Sequence, residues 1–79
     1  MNMVGFDKVH SSMLQKGQVY YYRNKFGAGY VKAEESKMDG WLVELQPDAN
    51  FSSPSLKRYS AGHIMLVPND LGHFYEPQG

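Results

Sequence analysis

"QVYYYRNKFGAGY", residues 18–30, decides how this chain is read. A valine and three consecutive tyrosines form a run of the residue types that strands favour. Two glycines follow, and then another tyrosine leading into "YVKAE". The pattern predicts a hairpin, with one strand over "QVYYYRN", a turn within "KFGAG" and a return over "YVKAE". Successive strand side chains point to opposite sides, so the sheet can bury only some of these tyrosines.

Working outward, the next turn contains Asp39-Gly40, a strong hairpin signal, and "WLVELQ" follows as a third strand that stops at Pro47. "PDANFSSPS" is polar and carries two prolines, so it reads as a long loop. "LKRYS" is a weak fourth strand. Ala61-Gly62 turns the chain into a strong fifth strand, "HIMLV", which ends at Pro68. "PNDLG" reads as a single helical or 3₁₀ turn. Ahead of all this, Phe6, Val9, Met13 and Leu14 recur at steps of three and four, which predicts a short amphipathic helix over residues 5–15, stopped by Lys16 and Gly17. The tail, residues 72–79, is expected to fray or to dock through Phe74 and Tyr75.

The chain has 79 residues and no cysteine. One domain is expected, and a chain this short buries only about 60–65% of the surface its unfolded form exposes. Neither a disulfide nor a thiolate metal site is possible. A closed sheet or an oligomer remains as a source of stability. In a small five-stranded meander, a strongly bent sheet that closes into a barrel removes free edges. The expected fold is therefore mainly β: a small five-stranded antiparallel SH3-like barrel, or a strongly bent sheet, with one short N-terminal helix. The barrel-like core is expected over residues 17–71. The resemblance to SH3-like barrels rests on Gly17 before the first strand, "GYV" in the second, "GWLVEL" in the third and a one-turn helix after the last.

The third strand sets the expected facing. Trp41, Val43 and Leu45 fall on one side and Leu42, Glu44 and Gln46 on the other. Matching valines then places Val19, Tyr21, Val31 and Ala33 in the core. Tyr20, Tyr22 and Tyr30 are left on the outer side beside Lys32. Tyrosine offers large rigid contact area at low entropic cost. The expected binding surface is therefore the outer hairpin: Tyr20, Tyr22, Arg23, Lys25, Phe26, Tyr30 and Lys32.

No motif specifies a reaction. His10, His63 and His73 have no short ligand spacing, so no metal site and no cofactor are expected. Ser11 and Ser12 follow His10, but sequence adjacency is not the geometry of an activated nucleophile. The "GAG" of residues 27–29 opens no helix and follows no βαβ pattern, so it is not read as a phosphate loop. The first fourteen residues hold no continuous apolar run, and no segment approaches the ~20 apolar residues a spanning helix needs. A cytoplasmic protein is expected.

The formal net charge is zero but unevenly placed. Residues 1–32 carry Lys8, Lys16, Arg23, Lys25 and Lys32 against Asp7, a balance of +4. Residues 33–79 carry Lys37, Lys57 and Arg58 against seven carboxylates, a balance of −4. Basic and aromatic residues recur together at Lys57, Arg58 and Tyr59, a mixture that single-strand binders use. The neutral total forfeits most non-specific attraction to phosphate.

The length and barrel layout also resemble the plasmid-borne trimethoprim-resistant dihydrofolate reductases. These are SH3-like barrels that work as tetramers and use a glutamine–isoleucine–tyrosine segment of a late strand. The corresponding "HIMLVP", residues 63–68, has no such polar triplet, so no active residues carry over. The expectation is a non-enzymatic interaction module that binds and modulates another protein, an accessory or inhibitory protein of a bacterium or mobile element. The alternatives are a small barrel that binds RNA or DNA through the basic-aromatic hairpin and Lys57, Arg58 and Tyr59, and a homo-oligomer that binds a small ligand.

Overall fold

The structure is a computed structural model and describes residues 6–52 and 58–77. Seven strands follow one another: β1 (Phe6–Val9), β2 (Val19–Asn24), β3 (Gly27–Lys37), β4 (Gly40–Leu45), β5 (Asn50–Phe51), β6 (Ile64–Pro68) and β7 (His73–Pro77). They form one antiparallel sheet in the order β1-β7-β2-β3-β4-β6, with β5 paired to the start of β3. The sheet is mainly what the chain is, and it is not closed: β1 and β6 are its two ends.

The sheet nevertheless has to curl. β6 and β7 are separated in the sheet by β4, β3 and β2, yet residues 69–72 alone connect them. Laid flat, four inter-strand spacings of ~4.8 Å would put these strands ~19 Å apart. Five extended Cα steps reach at most about 17–18 Å, and a turn closed by Leu71 N–H donating to Pro68 O shortens the reach further. The 11-residue β3 carries a register shift between Ala33 and Glu35. Such an irregularity lets a long strand bend.

No helix forms over residues 5–15. Phe6–Val9 pairs instead with β7, Val9 lying opposite Phe74, and a 3₁₀ turn, Ser11–Met13, follows. Val9 packs on the core and Leu14 is buried, but Met13 is 68% exposed, so the supposed stripe is split between two sides. An isolated helix of that length is marginal in water, and pairing with β7 outweighs it. His10 Nδ1 accepts the backbone N–H of Ser12 at 3.1 Å, and Trp41 Nε1 donates to Ser11 O at 2.9 Å. The turn is thereby capped and tied across the core to β4. The tail is also ordered: His73–Pro77 is a strand between β1 and β2. Of the expected fourth strand, residues 56 and 57 lie outside the described residues, and Arg58 makes an isolated bridge to Ser52.

The facing of β2 is the reverse of the expectation. Lys25 and Phe26 form a two-residue turn, because Asn24 pairs with Gly27. That register sets Tyr20 opposite Val31 and Tyr22 opposite Gly29, while Val19 faces Lys32. Directly opposed residues share a face, so the buried Val31 carries Tyr20 inward with it. Tyr20 and Tyr22 belong to the core with Val31, Ala33, Trp41, Val43, Leu45, Phe51, Val67, Phe74 and Leu14. Val19 is 40% exposed and Tyr21 half-buried. The position of the turn, not the resemblance of one valine to another, sets the parity of a strand.

Tyr22 lies at the centre. Its ring centroid is 4.5 Å from that of Phe74 and 5.9 Å from that of Phe51. The phenol oxygens of both inner tyrosines have partners: Tyr22 Oη accepts from Asn24 Nδ2 at 3.2 Å, and Tyr20 Oη accepts from the Gln15 N–H at 2.9 Å. Asn24 Oδ1 accepts the Phe26 N–H at 2.8 Å, so one side chain joins the hairpin turn to the central ring. Gly29 is required where it stands. Its φ is +150°, and a Cβ there would run into Ala49.

Candidate functional site: the outer tyrosine face

Turning Tyr20 and Tyr22 inward turns Tyr21 outward. Tyr21 lies opposite Tyr30 on β3 and opposite Tyr75 on β7. The three rings form a row across three strands, with Tyr21–Tyr30 centroids 5.5 Å apart at 74° and Tyr21–Tyr75 centroids 6.2 Å apart at 54°. All three are half-buried. The edge-to-face Tyr21–Tyr30 contact and the tilted Tyr21–Tyr75 contact are cross-strand pairs, which contribute about 0.2–1 kcal/mol each.

Charged residues surround the row at positions the register fixes. Lys8 lies opposite Tyr75, and Arg23 opposite Ala28 and His73. Beside the row run Val19, Lys32, Glu44 and Ile64, each opposite the next on neighbouring strands. Around the row, aromatic and aliphatic area therefore meets three cations and one carboxylate, and further along β3 the same face carries Glu35, opposite Leu42 and paired with Lys37 at 3.2 Å.

The expected site residues divide. Arg23, Tyr30 and Lys32 are on this face, but Tyr20 and Tyr22 are core residues on the opposite side of the sheet, 5% and 0% exposed. Lys25 is exposed in the turn, its Nζ 5.3 Å from the Phe26 ring centroid, a cation–π arrangement. Phe26 leaves the row: with Phe51, Tyr59, Met65 and Leu71 it lines a separate apolar slot of about 160 Å³. Tyr59 stacks on His63 at 4.3 Å between centroids and 7° between planes, and Arg58 is exposed. Lys57 lies outside the described residues. Tyr21 and Tyr75 belong to the outer row, although the sequence pattern assigned Tyr21 to the core and gave Tyr75 no place on the binding surface. Their placement follows from strand pairing, Phe74 opposite Tyr22 and Tyr75 opposite Tyr21, which so short a segment does not reveal by itself.

A wider, open cleft of about 720 Å³ lies between β1, the 3₁₀ turn and the start of β2. Asp7 and Glu76 stand opposite one another there, with Lys8, His10 and Gln18 also at its walls. His10 Nδ1 is 2.8 Å from Ser12 Oγ. That nitrogen also takes the Ser12 N–H, so the contact is a local cap of the turn. Among the described residues no group of three or more His, Cys, Asp or Glu side chains could hold a metal ion. Burial pushes the Tyr22 phenol above its ordinary value of 10.0, and the hydrogen bond from Asn24 pulls it partly back. That shift belongs to a core packing residue. Among the described residues no helix is long and apolar enough to cross a membrane.

No family model matches the chain, and no curated protein or solved structure matches it either.

Proposed function

We propose that this chain is a non-enzymatic interaction module that binds another protein through the outer tyrosine face. The observation that carries this reading is the row Tyr75–Tyr21–Tyr30, flanked by exposed Val19 and by Arg23 and Lys32. Aromatic residues and arginine are enriched at protein interfaces, where they supply area with little entropy loss on ordering. The neighbouring charges would orient the partner. An accessory or inhibitory role in the cytoplasm belongs to the same proposal. We read the layout as an SH3-like barrel left open between β1 and β6, which the four-residue β6–β7 connection supports.

The test compares the wild-type chain with a Y21S/Y30S/Y75S variant, each used to capture cross-linked proteins from the cells that express it. Far-UV circular dichroism establishes that the variant retains its β structure. A partner held by the wild type and lost by the folded variant is the expected result. Equal capture by both would place the contact elsewhere.

The cation excess around the tyrosine row, Lys8, Arg23 and Lys32 against Glu44, favours a second reading, binding of single-stranded nucleic acid. Engaging about three phosphates would give a slope of log K against log salt of about −2 to −3. Absence of binding to mixed-sequence RNA and DNA oligonucleotides at low salt removes this reading.

A further inference from the structure

We propose that two copies of this chain pair through β6, antiparallel about Met65, to continue one sheet across a two-fold dimer. The inference is independent of the tyrosine face and begins from the fact that the sheet is open.

Its two edges are unlike. β1 is four residues long and carries Asp7 and Lys8, and charge and shortness are the usual guards against edge-to-edge pairing. β6 reads Ile-Met-Leu-Val-Pro and carries no charge. Among the described residues only β4 pairs with it, and its far edge has no strand partner among them. Ile64 and Leu66 on that strand are 53% and 43% exposed, two of the few large apolar side chains left in solvent.

The backbone parity shows what that edge offers. Leu45 N–H donates to His63 O, so the His63 carbonyl points at β4. In an antiparallel ladder the groups alternate, so Met65 and Val67 also turn toward β4, and Ile64 and Leu66 turn away. Pro68 has no N–H, and its carbonyl already accepts from Leu71. The open edge thus presents the N–H and C=O groups of Ile64 and Leu66.

This set is self-complementary. Placing Ile64 against Leu66 of a second copy, and Leu66 against its Ile64, satisfies all of these groups with four hydrogen bonds centred on Met65. A two-fold axis requires the same patch on both partners, and this strand meets that condition without bringing like charges together. The same register puts Ile64 and Leu66 side by side across the new seam on the outer face, since their partners on β4, Glu44 and Leu42, both face that way. The zero net charge of the chain leaves no long-range repulsion between copies. A foreign strand could use the same backbone groups, but nothing on the edge selects one, whereas a second copy matches it group for group.

A two-strand contact of this length is smaller than the ~800 Å² per partner of a standard interface, so the dimer is weak. The experiment is amide hydrogen exchange by NMR at about 20 µM and about 1 mM chain, with sedimentation equilibrium over the same range. The expected result is dimerisation, with the Ile64 and Leu66 amides protected only at the higher concentration. The Met65 and Val67 amides, bonded to β4, should be protected at both. Ile64→Lys and Leu66→Pro should each weaken association at least about tenfold. Leu66→Pro is well suited because proline is tolerated where an edge N–H points away from the ladder. Met38→Lys, in the exposed β3–β4 turn, should associate like the wild type. Circular dichroism and Trp41 fluorescence report whether each variant is folded. A wild-type chain that stays monomeric at 1 mM overturns the proposal. So does a dimer in which Ile64 and Leu66 exchange is independent of concentration, or one that a folded Ile64→Lys variant forms equally well. Protection of these two amides only on adding a heterologous extended peptide would assign the edge to a foreign strand and overturn self-pairing.

Discussion

Replacing Tyr22 by alanine and Tyr21 by alanine, in separate chains, should give very different proteins although the residues are neighbours. Tyr22 has no solvent exposure and is packed between Phe74 and Phe51, with its hydroxyl bonded to Asn24. Truncating a buried aromatic costs about 3–5 kcal/mol. A chain of 79 residues at ~0.05–0.15 kcal/mol per residue has a total of about 4–12 kcal/mol. Tyr22→Ala should therefore remove about a quarter or more of the stability and can leave the chain unfolded. Tyr21 is half-buried on the outer face and loses its contacts with Tyr30 and Tyr75. Cross-strand pairs contribute about 0.2–1 kcal/mol each, so Tyr21→Ala should cost about 1 kcal/mol. Urea unfolding followed through Trp41, the single tryptophan, measures both. At an m value of about 1 kcal/mol/M, the midpoints should fall by about 4 M and about 1 M respectively. A larger loss for Tyr21→Ala than for Tyr22→Ala would refute the facing of β2 and the surface built on it.

Tyr22→Phe should flatten the alkaline side of the stability curve. Burial holds the Tyr22 phenol above 10.0 in the folded chain, so below pH 10 it adds no pH dependence. As the pH rises from about 10 through the folded value, the unfolded chain releases that proton first and stability falls by up to about 1.4 kcal/mol per pH unit. The difference between wild-type and variant urea midpoints from pH 8 to 11 isolates this slope. Gly29→Ala should cost about 1–3 kcal/mol, because the added methyl meets Ala49 and φ is +150°. For a domain this small, each kcal/mol lost lowers Tm by about 4–8 °C in a thermal scan. Trp41→Phe removes the bond to Ser11 O. It should cost about 0.5–1.5 kcal/mol and speed amide exchange at residues 11–14 more than in β3.

Most strands were legible, for physical reasons. β2, β4 and β6 are rich in β-branched, aromatic or other apolar residues, and β3 is placed by the turn signals on either side of it. Trp41, Val43 and Leu45 alternate with Leu42 and Glu44, which fixed the inner face of β4 directly. β1 and β7 were not legible as strands. "FDKV" and "HFYEP" are too short to show a period, and each is stabilised by pairing with the other. The spacing of Phe6, Val9 and Met13 fitted a helix only because a four-residue strand and a 3₁₀ turn happened to supply apolar residues at those steps. The facing of β2 is ambiguous in the sequence for a different reason. Every residue from Val19 to Tyr22 can be buried in a sheet, so composition does not select a face. Placing the turn one residue differently exchanges the two sides. Lys25 and Phe26 are the two turn residues, with Asn24 closing on the Phe26 N–H, and that position sets the parity of β2. Once Tyr20 is set opposite Val31, the outer tyrosines follow from the register.

The most direct test of the outer tyrosine face uses the chain labelled with 3-fluorotyrosine at its six tyrosines. Fluorine NMR in the presence of a neutral paramagnetic solute then reports the exposure of each ring. The resonances of Tyr20 and Tyr22 should hardly broaden, while those of Tyr21, Tyr30 and Tyr75 should broaden together. Strong broadening of Tyr20 and Tyr22 with Tyr21 protected would contradict the account.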